Sequence, residues 1–341
     1  MTEATTSLAP MEALLAAELP EGEDWQYEPK WDGFRCLARR RGDDVTLTSK
    51  SGKPLARYFP DVVAMLLTVK ERDFLLDGEL IIPVGDALSF DALQLRLHPA
   101  ESRIRKLSSQ TPAELMAFDI LELAGKSLAG EPLADRRSVL ETFFARNGVP
   151  GLLLSPATRD RETALGWLHR SGGALDGVIA KRADLEYRPG ERAMIKVKQQ
   201  RTADCVVGGF RYATKKHEVG SLLLGLYDPE GLLDHVGFTS AIPAQERPAL
   251  TEKLEGLIQP PGFTGSAPGG PSRWNTERLM AWEPLKPELV VEVRYDQVTG
   301  RRFRHGTGFL RWRPDKDPSQ CTFQQLAPEL RPSELKELFG T

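Results

Sequence analysis

The sequence predicts an α+β chain of two domains: a mixed domain of sheets and helices over residues 1–200, then a small β-barrel over residues 201–341. Three observations predict it. The chain has 341 residues, which at roughly 100–200 residues per domain makes two domains. Between Trp25 and Lys198, strand-like runs alternate with stretches of helical periodicity. After Lys198 the character changes to short strands separated by turn residues and interrupted by one helical stretch. Five or so strands with one helix in roughly 140 residues is the pattern of an OB-type barrel.

Each element follows from its local pattern. Residues 1–24 are mixed and acidic, with Glu18, Glu21, Glu23 and Asp24 ahead of the first strand-like stretch at Trp25. Phe34-Arg35-Cys36-Leu37-Ala38-Arg39 and Val45-Thr46-Leu47-Thr48 flank Arg41-Gly42-Asp43-Asp44, which reads as a hairpin turn. Residues 61–70 follow Pro60 and read as a helix, and residues 74–82 form an apolar strand with Asp-Gly-Glu in its middle. Residues 116–123 read as another strand, 135–146 and 161–171 as helices, and 177–181 and 194–198 as short strands. In the second domain the predicted strands are 205–210, 222–227, 232–238 and 289–295, with a helix over 243–257 and a Pro/Gly-rich loop over 260–271. The domain boundary falls near residue 200, and neither an internal repeat nor a low-complexity tract interrupts the pattern.

Composition excludes several classes of function. Forty per cent hydrophobic and 27% charged residues fit a globular enzyme or binding protein. The longest apolar run, Val62 to Leu67, is far short of the ~20 residues that span a bilayer. Met1-Thr2-Glu3-Ala4 has neither a basic start nor an apolar stretch after it, so no secretory signal is expected. Cys36, Cys205 and Cys321 lie too far apart for a CxxC metal site or a disulfide framework, which points to a reduced, cytoplasmic protein. The net charge of −3 means that nucleic acid must be held by local basic patches. There is no HExxH and no GxSxG. Gly125-Lys126-Ser127 mimics the end of a phosphate-binding loop, but that loop would need glycine where Ile120 stands, so a surface turn is the better reading.

The informative segment is Glu28-Pro29-Lys30-Trp31-Asp32-Gly33-Phe34-Arg35. Alone, its Asp-Gly is also what a solvated turn would contain. Further elements then come in one order: Ser49-Lys50-Ser51-Gly52, Asp77-Gly78-Glu79, Phe118-Asp119, Asp176-Gly177-Val178-Ile179-Ala180-Lys181, Ile195-Lys196-Val197-Lys198 and Arg311-Trp312-Arg313-Pro314-Asp315-Lys316. The ordered set resembles the covalent nucleotidyltransferases, and within them the ATP-dependent DNA ligases, most closely the compact two-domain bacterial ligases of the LigC type. The resemblance spans nearly the whole chain, from Pro10-Met11 to Lys316.

That resemblance implies a nucleotidyltransferase (adenylation) domain followed by an OB-fold domain. It implies sealing of 3′-hydroxyl/5′-phosphate breaks in duplex DNA with ATP, through AMP carried on Lys30 and then on the DNA. A lysine attacks only when neutral, whereas its ordinary pKa is about 10.4, so the chemistry needs nearby cations or burial. Lys196 and Lys198, two apart on one strand, face the same way and supply such a field. Lys30, Asp32, Lys196 and Lys198 make the implied catalytic set. Arg35 is implied to contact the ribose, and Phe118 to stack on adenine, although an ordinary core residue reads equally well there. Glu28 is implied to read the adenine amino group through its backbone, and Lys181 to sit close to the adenylate. Glu79 and Asp176 are the carboxylates offered to Mg²⁺ or Mn²⁺, with Glu79 alternatively on the ribose. Lys50 stands where many ligases grip the nick 5′-phosphate. Arg313, Asp315 and Lys316, with Arg311 beside them, match the last motif, which orients pyrophosphate when the barrel closes over ATP. Arg301, Arg302, Arg304 and His305 read as DNA phosphate contacts or as a solvated basic turn.

Three positions depart from the family pattern. Asp176 stands where glutamate is usual, shortening the reach to metal. Met194 replaces a frequent tryptophan, and Lys50 replaces an arginine fork with a point charge. About 29 residues precede Lys30, too few for the helical DNA-encircling domain that many ligases carry. The resemblance implies a monomer that acts in repair, at times near a primase-polymerase, and salt-dependent DNA binding. The rivals are an mRNA-capping guanylyltransferase, an RNA ligase and a non-catalytic OB-fold binding protein. Arg313-Pro314-Asp315-Lys316 and the setting of Glu28 favour the DNA ligase, and intact Lys30, Asp32, Glu79, Lys196 and Lys198 argue against decay.

Overall fold

The computed structural model describes residues 8–84, 87–170, 175–199, 201–214, 216–269, 281–296, 298–304 and 306–326. Residues 1–7 at the acidic start, Ser171, Gln200, Pro271 and His305, all named above, lie outside them. The chain divides into two compact units, with the division at Gln199/Gln200.

The first unit has two sheets. The smaller runs Ala13–Ala16, Met194–Val197, Leu175–Arg182, Trp25–Trp31 in spatial order; the first pair is parallel and the others are antiparallel. The larger runs Leu152–Leu154, Glu114–Leu123, Asp73–Ile81, Phe34–Arg41, Asp44–Ser49. The Phe34–Arg41/Asp44–Ser49 hairpin turns where Gly42 was expected to turn it, with Arg41 opposite Asp44. Helix Pro60–Thr68 places Val62 and Leu66, four apart and both buried, against the larger sheet. It begins with Pro60 in the first turn, where a missing N–H costs nothing, and stops at Val69, whose backbone is extended. Helix Leu133–Asn147 adds Leu140 and Phe143 to the same core. Helix Arg161–His169 starts at Asp160, whose carboxylate accepts from Thr163 N at 2.9 Å, and packs Trp167 against Tyr27, Val178 and Ala180 of the smaller sheet. A third cluster joins residues of both sheets: Met11, Leu37, Leu75, Leu121, Tyr187 and Met194.

Strand Leu152–Leu154 and the following three elements of this unit were not predicted. Ala13–Ala16 exposes Leu14 and Leu15 and is a strand only through its pairing with Met194–Val197. Helix Phe90–Arg96 is capped by Ser89, which accepts from Ala92 N at 3.1 Å. Helix Glu101–Gln110 buries only Ile104, so its sequence lacks a broad apolar stripe. Ala124-Gly125 is a hairpin turn, and Lys126–Ser127 is the two-residue strand after it, paired with Leu123 and Glu122, so a turn stands where the turn reading expected one.

The second unit is an antiparallel sheet ordered Leu233–Thr239, Val219–Tyr227, Arg201–Tyr212, Val290–Tyr295, Gly308–Trp312. A parallel bridge from Thr239, on one edge strand, to Thr307, just before the other, closes the sheet into a barrel of OB type. The predicted helix over 243–257 is a 3₁₀ turn, Ala244–Glu246, followed by α-helix Arg247–Glu255. Strand Gly308–Trp312 was not predicted; its Leu310 and Arg311 are exposed, so it shows no clean alternation. No helix among the described residues is long and apolar enough to cross a membrane.

Candidate active site

Lys30 projects from Trp25–Trp31, the edge strand of the smaller sheet. Pro29 is tolerated beside it because an edge strand has a side with no ladder bonds to lose. Trp31 fixes the strand end by donating Nε1 to Ser155 Oγ at 2.9 Å. The chain then turns at Gly33, where an added Cβ would stand 2.1 Å from Leu80 O, so only glycine lets the turn press onto the larger sheet. Asp176 lies where the pairing of Leu175–Arg182 with Trp25–Trp31 shifts register. Next to it, Gly177 has φ +135° and a Cβ position 2.1 Å from Val197 O. Such a bulge re-aims the neighbouring side chain, and here it turns Asp176 towards Lys30.

Lys30 Nζ donates to Asp176 Oδ2, and Lys198 Nζ lies 2.9 Å from the same oxygen. Burial opposes the charge on Asp176, but Lys30 and Lys198 outweigh it and hold the carboxyl below its usual range. Burial, together with the charges of Lys30, Lys198 and Lys50, lowers the pKa of Lys196. Lys196 lies within Met194–Val197 and Lys198 just past its end, so the predicted strand closes one residue early.

A cavity of about 240 Å³ opens at this lysine. Of the residues singled out in the sequence, Glu28, Lys30, Arg35, Lys50, Glu79, Phe118, Lys181 and Lys196 line it. Lys181 and Glu28 are buried and meet at 2.7 Å, off a hydrogen-bonding direction, while Gln26 Nε2 donates to Glu28 Oε1 at 2.7 Å. The Phe118 ring lies under two cations, with Arg35 Cζ 4.6 Å and Lys181 Nζ 4.7 Å from its centroid. Arg35 forms a fork to Asp77, Nε to Oδ1 at 2.5 Å and Nη2 to Oδ2 at 2.6 Å. Burial pushes Glu79 up to about 7, against the pull of Arg35 and Lys30; Asp77 and Asp32 push it the same way as burial.

Several supporting residues escaped the sequence reading. Asp77 also accepts from Tyr187 Oη at 2.7 Å, and Tyr187 Oη accepts from Met11 N at 2.8 Å. This chain ties the first residues of the fold to the cavity floor. Asp119, beside Phe118, receives a buried fork from Arg136, both bonds at 2.9 Å. Asp77 and Asp119 lie in the Asp77-Gly78-Glu79 and Phe118-Asp119 motifs, their only signal in the sequence; nothing in it marks Tyr187 or Arg136.

The other candidates lie at the cavity edge or in the second unit. Lys50 Nζ is 3.1 Å from Glu12 Oε2 at the cavity edge. In the barrel, Arg313 Nη1 bonds Asp204 Oδ1 at 2.9 Å, Asp315 pairs with Arg313 at 2.8 Å, and Lys316 Nζ is 3.4 Å from Asp204 Oδ2. Arg311 pairs with Glu292 at 2.6 Å. Arg301 pairs with Asp234 at 2.9 Å, and Arg302 Nη2 donates to His235 Nδ1 at 2.8 Å. Burial and the charges of Arg302 and Arg211 push His235 down to about 3, so it is a neutral acceptor. Arg304 is half-buried on the same segment.

A family model described as "ATP dependent DNA ligase domain" matches residues 8–198, and one described as "ATP dependent DNA ligase C terminal region" matches residues 215–316. The chain belongs to the ATP-dependent DNA ligases. It is 47% identical to DNA ligase C2 of Mycolicibacterium smegmatis, over 94% of each chain. It is 43% identical to DNA ligase C of Mycobacterium tuberculosis, over 94% of this chain and 93% of that one. These matches make it a LigC-like ligase. The fold of the ligase is also similar to a solved Lig E DNA ligase, with a TM-score of 0.54 at 18% identity over 90% of this chain and all of that one. The two units of the ligase are accordingly a nucleotidyltransferase unit and an OB-fold unit, and the cavity beside Lys30 lies in the first.

Proposed function

We propose that residues 1–200 form the adenylation domain and that Lys30 is its nucleophile. The observation that carries this is the setting of Lys30, on the wall of a cavity that also holds Arg35, Phe118 and Lys181 and bound to the carboxylate it shares with Lys198. In the first step the Lys30 lone pair attacks the α-phosphorus of ATP, the bond to the β-phosphate oxygen breaks, and pyrophosphate leaves with that electron pair. Lys30 must first part from Asp176 and lose a proton, because an ammonium has no lone pair. A break's 5′-phosphate then takes the AMP, freeing Lys30, and a 3′-hydroxyl displaces AMP to close the phosphodiester.

The proposed roles follow the geometry. Phe118, Arg35 and Lys181 bound the nucleoside end of the cavity. The Glu28 side chain is engaged by Lys181 and Gln26, and the base is assigned to its backbone, which pairs with Ile179 in the sheet. Lys196 and Lys198 hold the α-phosphate oxygens, and Asp32 acts beside Glu79. Among the described residues no group of three His, Cys, Asp or Glu is placed to hold a metal ion. Mg²⁺ or Mn²⁺ would be held by Glu79 and Asp176, with substrate phosphates as the other ligands. Such an ion would supply charge neutralisation at the triphosphate. In the OB-fold domain, residues 201–341, Arg313, Asp315 and Lys316 are assigned to pyrophosphate, and Arg301, Arg302 and Arg304 to DNA phosphates. Repair is the favoured setting. The chain is 30% identical, over 88% of its length and 37% of that protein's, to the "Multifunctional non-homologous end joining DNA repair protein LigD" of Mycobacterium tuberculosis.

ATP labelled at the α-phosphate tests the nucleophile. Lys30→Ala is expected to give no labelled protein band while unfolding at the wild-type temperature; a labelled, folded mutant would remove Lys30 from its role. Lys316→Ala is expected to slow this charging step at least tenfold and to spare sealing of nicks that already carry AMP, about the cost of losing one charge-assisted contact. If it charges normally and fails to seal, the last motif works on DNA.

A further inference from the structure

We infer that Lys50 and Arg192, beside Lys196, form a phosphate subsite at the edge of the cavity, and that the Glu12 carboxylate sits in it as an internal stand-in for the incoming phosphate. The inference rests on the role proposed above for Lys50. It gives Glu12 and Arg192 roles that the family motifs do not contain.

The position of Glu12 is built rather than incidental. Its backbone N donates to Glu191 O at 2.7 Å, and its O accepts from Met194 N at 3.1 Å. Both bonds pin it against the segment that carries Arg192 and Lys196. Its carboxylate Oε2 lies 3.1 Å from Lys50 Nζ and 3.9 Å from Arg192 Nε. The hydrogen bond from Lys50 comes first among the causes that hold the Glu12 carboxyl below its usual range, and Arg192 and Lys196 pull the same way. Glu12, Lys50 and Lys196 line the cavity together.

Two cations, Lys50 and Arg192, lie within 4 Å of one monoanion, and Lys196 stands on the same cavity wall. A terminal phosphate brings a charge of roughly −1.5 to −2 and three acceptor oxygens, a better match to the Lys50 ammonium and the Arg192 guanidinium together than two carboxylate oxygens. Such a phosphate can therefore displace Glu12, whereas an end without one meets a carboxylate already in place. Glu12 thus sharpens discrimination by repelling what lacks the charge to replace it. The pair is partly exposed, with the Lys50 side chain 60% and the Glu12 side chain 30% accessible. The expected effects are accordingly modest, about two- to five-fold.

Two phosphates could fill this subsite: the 5′-phosphate of a nick, or an outer phosphate of ATP. The test measures full-length wild type, Glu12→Gln, Glu12→Gln/Arg192→Ala and Lys50→Ala. It uses nicked duplexes ending in 5′-phosphate or 5′-hydroxyl, and ATP in the charging assay, with thermal unfolding as a control. If the occupant is the nick phosphate, Glu12→Gln tightens the 5′-phosphate duplex about two- to five-fold more than the 5′-hydroxyl duplex. If it is ATP, the same variant lowers the ATP concentration for half-maximal charging by that factor and leaves the DNA ratio alone. In either case Arg192→Ala reverses the gain. Equal tightening of both duplexes, or no change in either assay, overturns the stand-in. If Lys50→Ala keeps wild-type preference for 5′-phosphate and wild-type use of ATP, the role given to Lys50 falls and the subsite with it. If Lys50→Ala loses either property while Glu12→Gln changes nothing, only the stand-in falls.

Discussion

The floor and the edge of the cavity use the same chemical pairing under different physics. On the floor, Lys181 and Glu28 have side chains only 4% and 2% exposed, and Asp77, which receives Arg35, is fully buried. At the edge, Lys50 meets Glu12 in the open, and Arg192 is more exposed still. A buried charge has no water to fall back on, so each floor partner holds the other and the floor keeps one shape. An edge charge is hydrated with or without its partner, so the pair is weak and exchangeable. The difference suits the proposed roles, in which the floor fits one flat base rigidly and the edge trades ion partners with phosphates that come and go.

The largest effect expected from this contrast is on the floor. Lys181→Ala strands the Glu28 carboxylate and is expected to lower the unfolding free energy by about 3–5 kcal/mol in urea denaturation. Lys181→Met combined with Glu28→Gln is expected to recover most of the loss, because neither charge is then buried alone. A loss below about 1 kcal/mol for the single mutant would put the floor in the same class as the edge and break the comparison.

Glu79 tests the ground between. Burial raises its pKa from 4.5 to about 7, so in this window the folded protein keeps a proton that the unfolded chain releases. Its contribution to stability therefore falls as pH rises from about 4.5 to about 7, and the ionised carboxylate is a cost above that. Without nucleotide or metal, Glu79→Gln is expected to be more stable than wild type at pH 8 by the order of 1 kcal/mol, allowing for solvent screening, and equal to it at pH 4. Parallel stability–pH curves for the two proteins would show that Glu79 is not shifted.

The smallest effect belongs to the edge. Lys50→Ala is expected to leave stability within about 0.5 kcal/mol of wild type. It should also reduce the slope of log affinity for nicked DNA against log salt by about 0.9, the share of one phosphate contact. An unchanged slope would mean that Lys50 touches no DNA phosphate.

Much of the molecule is determined by sequence alone, and the reason is locality. The hairpin Phe34–Arg41/Asp44–Ser49 follows from alternation on either side of Gly42, and helix Pro60–Thr68 from Pro60 and the spacing of Val62 and Leu66. These depend on residues adjacent in the chain. The ordered motifs, through their likeness to a family, also named Glu28, Lys30, Arg35, Glu79, Phe118, Lys181 and Lys196, and all of them line one cavity. Only the tertiary structure decided the partners. Ala13–Ala16 is a strand because Met194–Val197 lies beside it, not because of its own four residues. Asp176 faces Lys30 because the sheet shifts register at Gly177. Asp77 carries Arg35 and Tyr187 together because packing brings three distant segments to one buried carboxylate. Periodicity and turn chemistry are set between neighbours in sequence. An ion pair is set by which charges are desolvated together, and that is known only once the chain has closed on itself.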